Sequence, residues 1–185
     1  MYEGSGSNGN WELSMLEGML GLAVLSNNNT LFSHSLTLWR QRLPAYVYIH
    51  TDGNQPVPPP RGHPTWYGQK VFDASVDGIS QETCRDLGHT QMGLASAING
   101  AETAWVQGVD LFAEMKERFA ATLEFHSKLL LPGAVAPYAV CSGNVSFAQL
   151  PTFGKKEKTR LACTTRDSST TLMNNVHRNR IQCSA

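Results

Sequence analysis

The stretch "CRDLGHTQMG", residues 84–93, gathers Arg85, Asp86, His89 and Gln91 around Gly88 and Gly93. These residue types can hold a carboxylate and move a proton. A guanidinium offers a planar pair of donors to a carboxylate. An imidazole titrates near neutral pH and can act as base or acid. Gln81, Arg85, His89 and Met92 follow spacings of four, four and three, which on a helix puts them on one face. Gly88 alternatively breaks that helix and sets His89 at a fresh N-terminus. The plainer reading is a helix start with solvated polar residues, Arg85 pairing with Glu82 or Asp86, because Arg-x-x-x-His is a common spacing.

The elements that must position this cluster read as helices. "NWELSMLEGMLGLAVLS" predicts a helix over 11–25, with Asn10 as N-cap and Glu12 in the first turn, where a carboxylate suits the helix dipole. It is apolar around most of its circumference and should be buried on two sides. Phe32, Leu36, Trp39 and Leu43 form a stripe that predicts a helix over 30–43, with a stop or kink at Pro44. A third helix, 90–107, is dense in Gly93, Ala95, Ala97, Gly100, Ala101 and Ala104, which lets neighbours approach closely. A fourth, 112–131, carries Phe112, Met115, Phe119, Leu123, His126 and Leu130 on one stripe and stops at Pro132-Gly133. His126 lies on that apolar stripe and reads as structural.

Residues 45–79 break the helical pattern. "YVYIHTDG" reads as a short strand ending in an Asp-Gly turn, and "QPVPPPRGHP" is too proline-rich for a helix interior. Long ordered loops are often functional, and this one brings Tyr46, Tyr48, His50, Trp66 and Tyr67 into one region. From about residue 134 the periodicity fades, and residues 134–185 read as a divergent, poorly ordered tail.

Composition narrows the partners. Fifteen Lys and Arg balance fifteen Asp and Glu, so the formal net charge is zero. A nucleic-acid surface usually shows a basic excess. No apolar run approaches the roughly 20 residues needed to span a bilayer, and "MYEGSGSNGN" has neither the basic start nor the apolar stretch of a signal peptide. The four cysteines, 84, 141, 163 and 183, show no CxxC pair and no zinc spacing. Cys84 reads as a buried thiol.

Several segments carry a resemblance in a fixed order. "NWELSM" at 10–15, "TLWRQRLPAYVY" at 37–48, "DGISQETCRDLGHTQMGLAS" at 77–96 and "AETAWVQGVDLF" at 101–112 resemble the alginate lyase family, in its glucuronan lyase-like branch. The resemblance covers roughly residues 8–131. It implies an all-α fold, a partial (α/α) toroid of antiparallel helices with a long loop, over residues 1–133. It also implies a secreted protein that needs no cofactor and no metal. Its expected partner is a uronic-acid polysaccharide, with neither nucleic acid nor membrane. That family carries further helices before the Asn-Trp-Glu segment, and the chain departs from the pattern after "LPTF" at 150–153, which together set an expectation of a truncated fragment with little or no activity.

Such lyases cleave by β-elimination. The C5 proton beside a uronate carboxylate is very weakly acidic, so that carboxylate must be neutralised. A base then takes the proton and an acid protonates the departing glycosidic oxygen. The resemblance implies His89 as base or carboxylate contact. Arg85 holds the carboxylate or orients a tyrosine. Asn10 contributes to neutralisation, beside its plainer role as cap. Gln81 and Glu82 line the cleft, Glu82 also pairing with Arg85. Trp11 and Trp66 stack on sugar rings. Tyr67 contacts substrate, and the proton donor is left open among Tyr46, Tyr48 and Tyr67. The rival reading is a carbohydrate-binding remnant with no turnover; a helical interaction module unrelated to sugars fits the ordered motifs least well.

Overall fold

The computed structural model describes residues 6–62 and 64–148. Among them the regular structure is helical, with one isolated antiparallel bridge between Val47 and Ser80. The chain is all-α.

Helix α1 runs Gly9–Leu25 and begins two residues earlier than the sequence suggests. Asn8, not Asn10, holds the N-cap position with extended φ and ψ, and its side chain is spent elsewhere. Asn10 therefore falls in the first turn and is buried. Glu12 falls in the first turn, as expected, and also ties α1 to its neighbour. It is buried and lies 3.3 Å from the equally buried Arg42 of the next helix. Taking both charges out of water is costly, and burial lowers the Arg42 pKa while Glu12 opposes that shift. Ser7 N donates to the other Glu12 oxygen at 3.2 Å.

Helix α2 runs Asn29–Tyr46, capped by Asn28, whose side chain accepts from Leu31 N at 2.9 Å. It does not stop at Pro44. A proline in the last turn removes one N–H but already has helical φ, so the helix continues through Tyr46. Helix α3 runs Leu87–Val106. Ser14 meets Ser96 at 2.9 Å, and Asn99 donates to Glu17 at 2.9 Å, both pairs 82 residues apart. A constant offset means that α1 and α3 run parallel. Glu12 against Arg42, with Gly9 against Tyr46, makes α2 antiparallel to α1.

The small residues of α3 are used as expected. Trp39 sits against Gly100, and a Cβ at Gly93 would collide with the Tyr46 ring. Leu13, Leu16, Met19 and Leu20 of α1 join Leu36, Trp39, Leu43, Leu94, Ala97 and Ala101 in one core. Leu16, Met19 and Leu20 are buried, as a helix apolar around most of its circumference requires. Those side chains are covered by α2 and α3, each burial contributing about 1.5–3 kcal/mol. The open apolar positions of α1 are instead Trp11, Leu22, Val24 and Leu25.

The expected fourth helix is split into α4, Leu111–Glu114, and α5, Lys116–Leu129, at Met115 (φ −114°, ψ 23°). Phe112 and Phe119 stack at 5.5 Å, and Phe119 reaches Trp39 at 6.0 Å. Arg118 donates to Val47 O at 2.6 Å and forks onto Asp52 at 2.8 and 2.7 Å, anchoring the loop after α2. Gly78 has φ +90°, and its Cα lies so close to the Ala121 carbonyl of α5 that no side chain fits.

The segment expected as a strand pairs only briefly. Tyr48 N donates to Ile79 O and Gly78 N to Tyr48 O, at 2.9 and 2.8 Å, before a 3-10 turn over His50–Asp52. Tyr48, Val76, Ile79 and Val140 form a second, smaller core, with Trp66, Phe72 and Phe125 packed against it. Val140 shows that residues 134–148 are not a loose tail. Cys141 is disulfide-bonded to Cys84, and Leu87 N donates to Ser146 O at 2.9 Å. Cys84 is therefore no free thiol. Residues 149–185, including Cys163, Cys183 and His177, lie outside the described residues.

Candidate functional site

Residues 80–86 form a sequence of turns, not the first turn of a helix. Gln81, Arg85, His89 and Met92 consequently do not share one helical face. Gly88 does not break a helix either. α3 starts at Leu87, with Asp86 as its N-cap. Asp86 Oδ1 accepts from His89 N at 2.8 Å, and Oδ2 meets His89 Nδ1 at 2.7 Å. One carboxylate caps the helix and holds the ring.

Successive side chains of the turn are tied to different elements. Gln81 is buried; its Oε1 accepts from Gly9 N at 2.8 Å and its Nε2 donates to Ala45 O at 2.7 Å. Both ends of the amide are occupied, so Gln81 joins α1 to α2 and does not line a cleft. Glu82 is also buried. Asn8 Nδ2 donates to its Oε1, and Arg85 Nη1 lies 3.4 Å from Oε2. Thr83 Oγ1 meets His126 Nε2 of α5 at 2.8 Å. Cys84 carries the disulfide to Cys141. Arg85 alone of these five turns outward, its side chain 36% exposed.

Arg85 also reaches Tyr67. Nη1 lies 3.4 Å from the phenol oxygen, and the guanidinium carbon sits 5.7 Å from the ring centroid. Tyr67 has φ +50°, a left-handed conformation that disfavours bulky residues, and its side chain is open to solvent. Arg85 Nε is 4.0 Å from the same Asp86 Oδ2 that holds His89. Tyr67, Arg85, Asp86 and His89 thus form one continuous polar line at the surface, with Glu82 beneath.

The other aromatic expectations divide. Tyr46 is buried and donates to Thr90 O at 3.3 Å; burial, reinforced by the Glu82 and Asp86 charges, pushes its pKa far above the ordinary value. Tyr48 is buried and donates to Gly53 O at 2.8 Å, and burial raises its pKa too. Neither presents a hydroxyl to a ligand. Trp66 packs edge-on against Phe72 at 5.0 Å and belongs to the second core, not to an open stacking platform. Trp11 is 58% exposed at the start of α1.

Asn10 is the outlier. Its amide nitrogen and oxygen are buried and have no hydrogen-bond partner among the described residues. The constant offset of 82 between α1 and α3 places Asn10 level with Met92, one turn beyond His89. The sequence points to the residue but not to its enclosure. Asp86 was overlooked as more than a partner for Arg85, although an aspartate three residues before a histidine at a helix start is a legible cap signal.

Among the described residues no group of three or more His, Cys, Asp or Glu side chains could hold a metal ion, and no helix is long and apolar enough to cross a membrane. In comparisons with known proteins, the chain matches no family model, no curated protein and no solved structure.

Proposed function

We propose that this chain is a polysaccharide lyase that cleaves a uronic-acid polymer of alginate or glucuronan type by β-elimination. The observation that carries the reading is the shared carboxylate of Asp86, with His89 Nδ1 at 2.7 Å and Arg85 Nε at 4.0 Å from one oxygen. It brings a proton acceptor and a carboxylate-binding group to adjacent positions, as the elimination requires. The ordered motifs at 10–15, 37–48, 77–96 and 101–112 support it independently.

The chemistry follows from the donors. Asp86 accepts the Nδ1 proton of His89, which leaves the Nε2 lone pair as the basic atom. Arg85 holds the substrate carboxylate and spreads the negative charge that builds as C5 loses its proton to Nε2. The C4–O4 bond breaks, C4 and C5 become doubly bonded, and O4 takes a proton. Tyr67 is the tyrosine placed to give it. Its hydroxyl is open to solvent and lies 3.4 Å from Arg85 Nη1, beside the group that holds the substrate carboxylate. Trp11 offers an exposed apolar platform for a sugar ring.

The reading carries with it a partial (α/α) toroid, supported by the alternating directions of α1, α2 and α3. It also carries secretion, supported by the Cys84–Cys141 disulfide, since such bonds persist in oxidising compartments. The test is direct. Polyglucuronate or alginate incubated with the chain should gain the ultraviolet absorbance of an unsaturated uronide, and His89→Ala should abolish it. Binding of either polymer with no absorbance change supports the carbohydrate-binding remnant instead.

A further inference from the structure

The mechanism leaves the buried imidazole of His126 unused. His126 lies on α5, enclosed in the core, yet it is wired to the turn that carries Glu82 and Arg85. Its Nδ1 lies 2.8 Å from Thr122 O, an acceptor only, so Nδ1 bears the proton. Nε2 must then accept, and Thr83 Oγ1 donates to it at 2.8 Å. With its proton committed, Thr83 Oγ1 accepts from Ser80 N at 2.9 Å. Ser80 Oγ donates onward to Thr90 Oγ1 at 3.3 Å, and Thr90 Oγ1 donates to Asp86 O at 3.3 Å. Every proton in this line has one direction, and the line ends at the residue that grips His89.

We infer that His126, acting through Thr83, is a positioning residue that fixes the 80–86 turn and so aims Arg85. The inference rests on the lyase reading for its consequence in turnover, but its geometry does not. Burial keeps the imidazole neutral, with its pKa pushed down to about 4, so Nε2 stays an acceptor at neutral pH. Among the described residues no other hydrogen bond of the Thr83 side chain reaches α5. Without it the turn would keep its ties to α1 and α2 through Gln81, and to residue 141 through Cys84, but would lose its tie to the helix beneath.

The experiment uses the full chain and two variants. In His126→Leu the acceptor is gone, but Thr83 Oγ1 can turn its proton to Ser80 Oγ, 3.0 Å away. No bare polar group is left, and the chain should fold. His126→Gln returns an acceptor where Nε2 stood. Amide hydrogen exchange across 80–86 should quicken about tenfold or more in His126→Leu and return toward wild type in His126→Gln, with the amides of α1 and α3 unchanged. Elimination kcat/KM should fall at least about tenfold in the leucine variant, as small misplacements of a binding group do, and recover in the glutamine variant. Exchange at 80–86 that stays unchanged in His126→Leu, or that quickens equally across α1 and α3, overturns the inference. A wild-type chain with no elimination sinks the lyase reading alone, and the exchange measurement still decides this one.

Discussion

Asp86 binds His89 twice: Oδ1 accepts its backbone N–H at 2.8 Å and Oδ2 its ring Nδ1 at 2.7 Å. Helix capping and ring orientation are thereby one interaction, and two substitutions separate them. Asp86→Ala should cost about 1 kcal/mol of stability through the lost cap. Asp86→Asn keeps an oxygen for the backbone N–H and should retain most of that stability. Its amide nitrogen, however, donates to Nδ1, which moves the ring proton to Nε2 and removes the base. The asparagine variant should therefore unfold at nearly the wild-type urea concentration and lose about 100-fold or more in kcat. Equal activity in Asp86→Asn and wild type would remove His89 from the base role.

Arg85 and Tyr67 offer a second test. The Arg85 side chain is partly exposed, and a lysine keeps a positive charge above the buried Glu82, so Arg85→Lys should change stability by less than about 1 kcal/mol. Arg85→Lys keeps the charge but loses the planar two-donor grip on a carboxylate. Elimination kcat/KM should drop about tenfold or more, and Tyr67→Phe should reduce kcat while leaving the affinity for polymer close to wild type. A lysine variant with full activity would show that Arg85 acts only as a distant positive charge.

The sequence made the helices legible because their apolar spacing is long and regular. Leu13, Leu16 and Leu20 on α1, or Phe32, Leu36, Trp39 and Leu43 on α2, each mark one buried face. The 80–86 turn was not legible in the same way. Spacings of four, four and three suit a helix, but each of these side chains is claimed by a different distant element: Gln81 by Gly9 and Ala45, Thr83 by His126, Cys84 by Cys141. Tertiary hydrogen bonds outweigh a periodicity worth a few tenths of a kcal/mol per pair. Cys84 was misread for a related reason: its partner lies 57 residues away, in a segment whose sequence has no clear period. Arg85 and His89 do come together, through Asp86 and not through a common helix face.

The buried His126 predicts a pH dependence of stability. Its folded pKa, about 4, lies below the ordinary histidine value of 6.5. Between those values the unfolded chain binds the proton that the folded chain refuses. Stability should fall as pH drops through 6.5 and stop falling, for this group, near 4. The full effect is on the order of 3 kcal/mol at about 1.4 kcal/mol per pH unit. Urea midpoints across that window should show the slope in wild type, and the slope should shrink in His126→Gln. An unchanged slope would mean that carboxylates, not His126, govern the acid limb.

The Cys84–Cys141 bond closes a loop with a sequence separation of 57. Constraining the unfolded chain over that length stabilises by about 2–4 kcal/mol. Cys141→Ser should lower stability by that amount, read as a shifted urea midpoint, and the loss should not appear when wild type and variant are compared under reducing conditions. Because Cys84 adjoins Arg85, reduction of the wild-type chain should also lower elimination. Stability insensitive to reductant would show that the two sulfurs are not bonded in solution.

Asn10 carries the sharpest trade between stability and function. Its amide is buried in the first turn of α1 with no hydrogen-bond partner among the described residues. An amide left bare in this way costs about 1–3 kcal/mol. Leucine has the same branching pattern, fits a helix better and has no polar atoms to satisfy. Asn10→Leu should therefore stabilise the chain by about 1 kcal/mol or more, measured as a higher urea midpoint at unchanged m-value. Both amide atoms are enclosed, so a part in turnover needs the first turn of α1 to open toward Arg85, and a variant that is more stable but the poorer enzyme would show such an opening. A variant that is more stable and fully active assigns Asn10 no part in turnover. One that is less stable shows that the amide is satisfied in solution and that its burial carries no functional meaning.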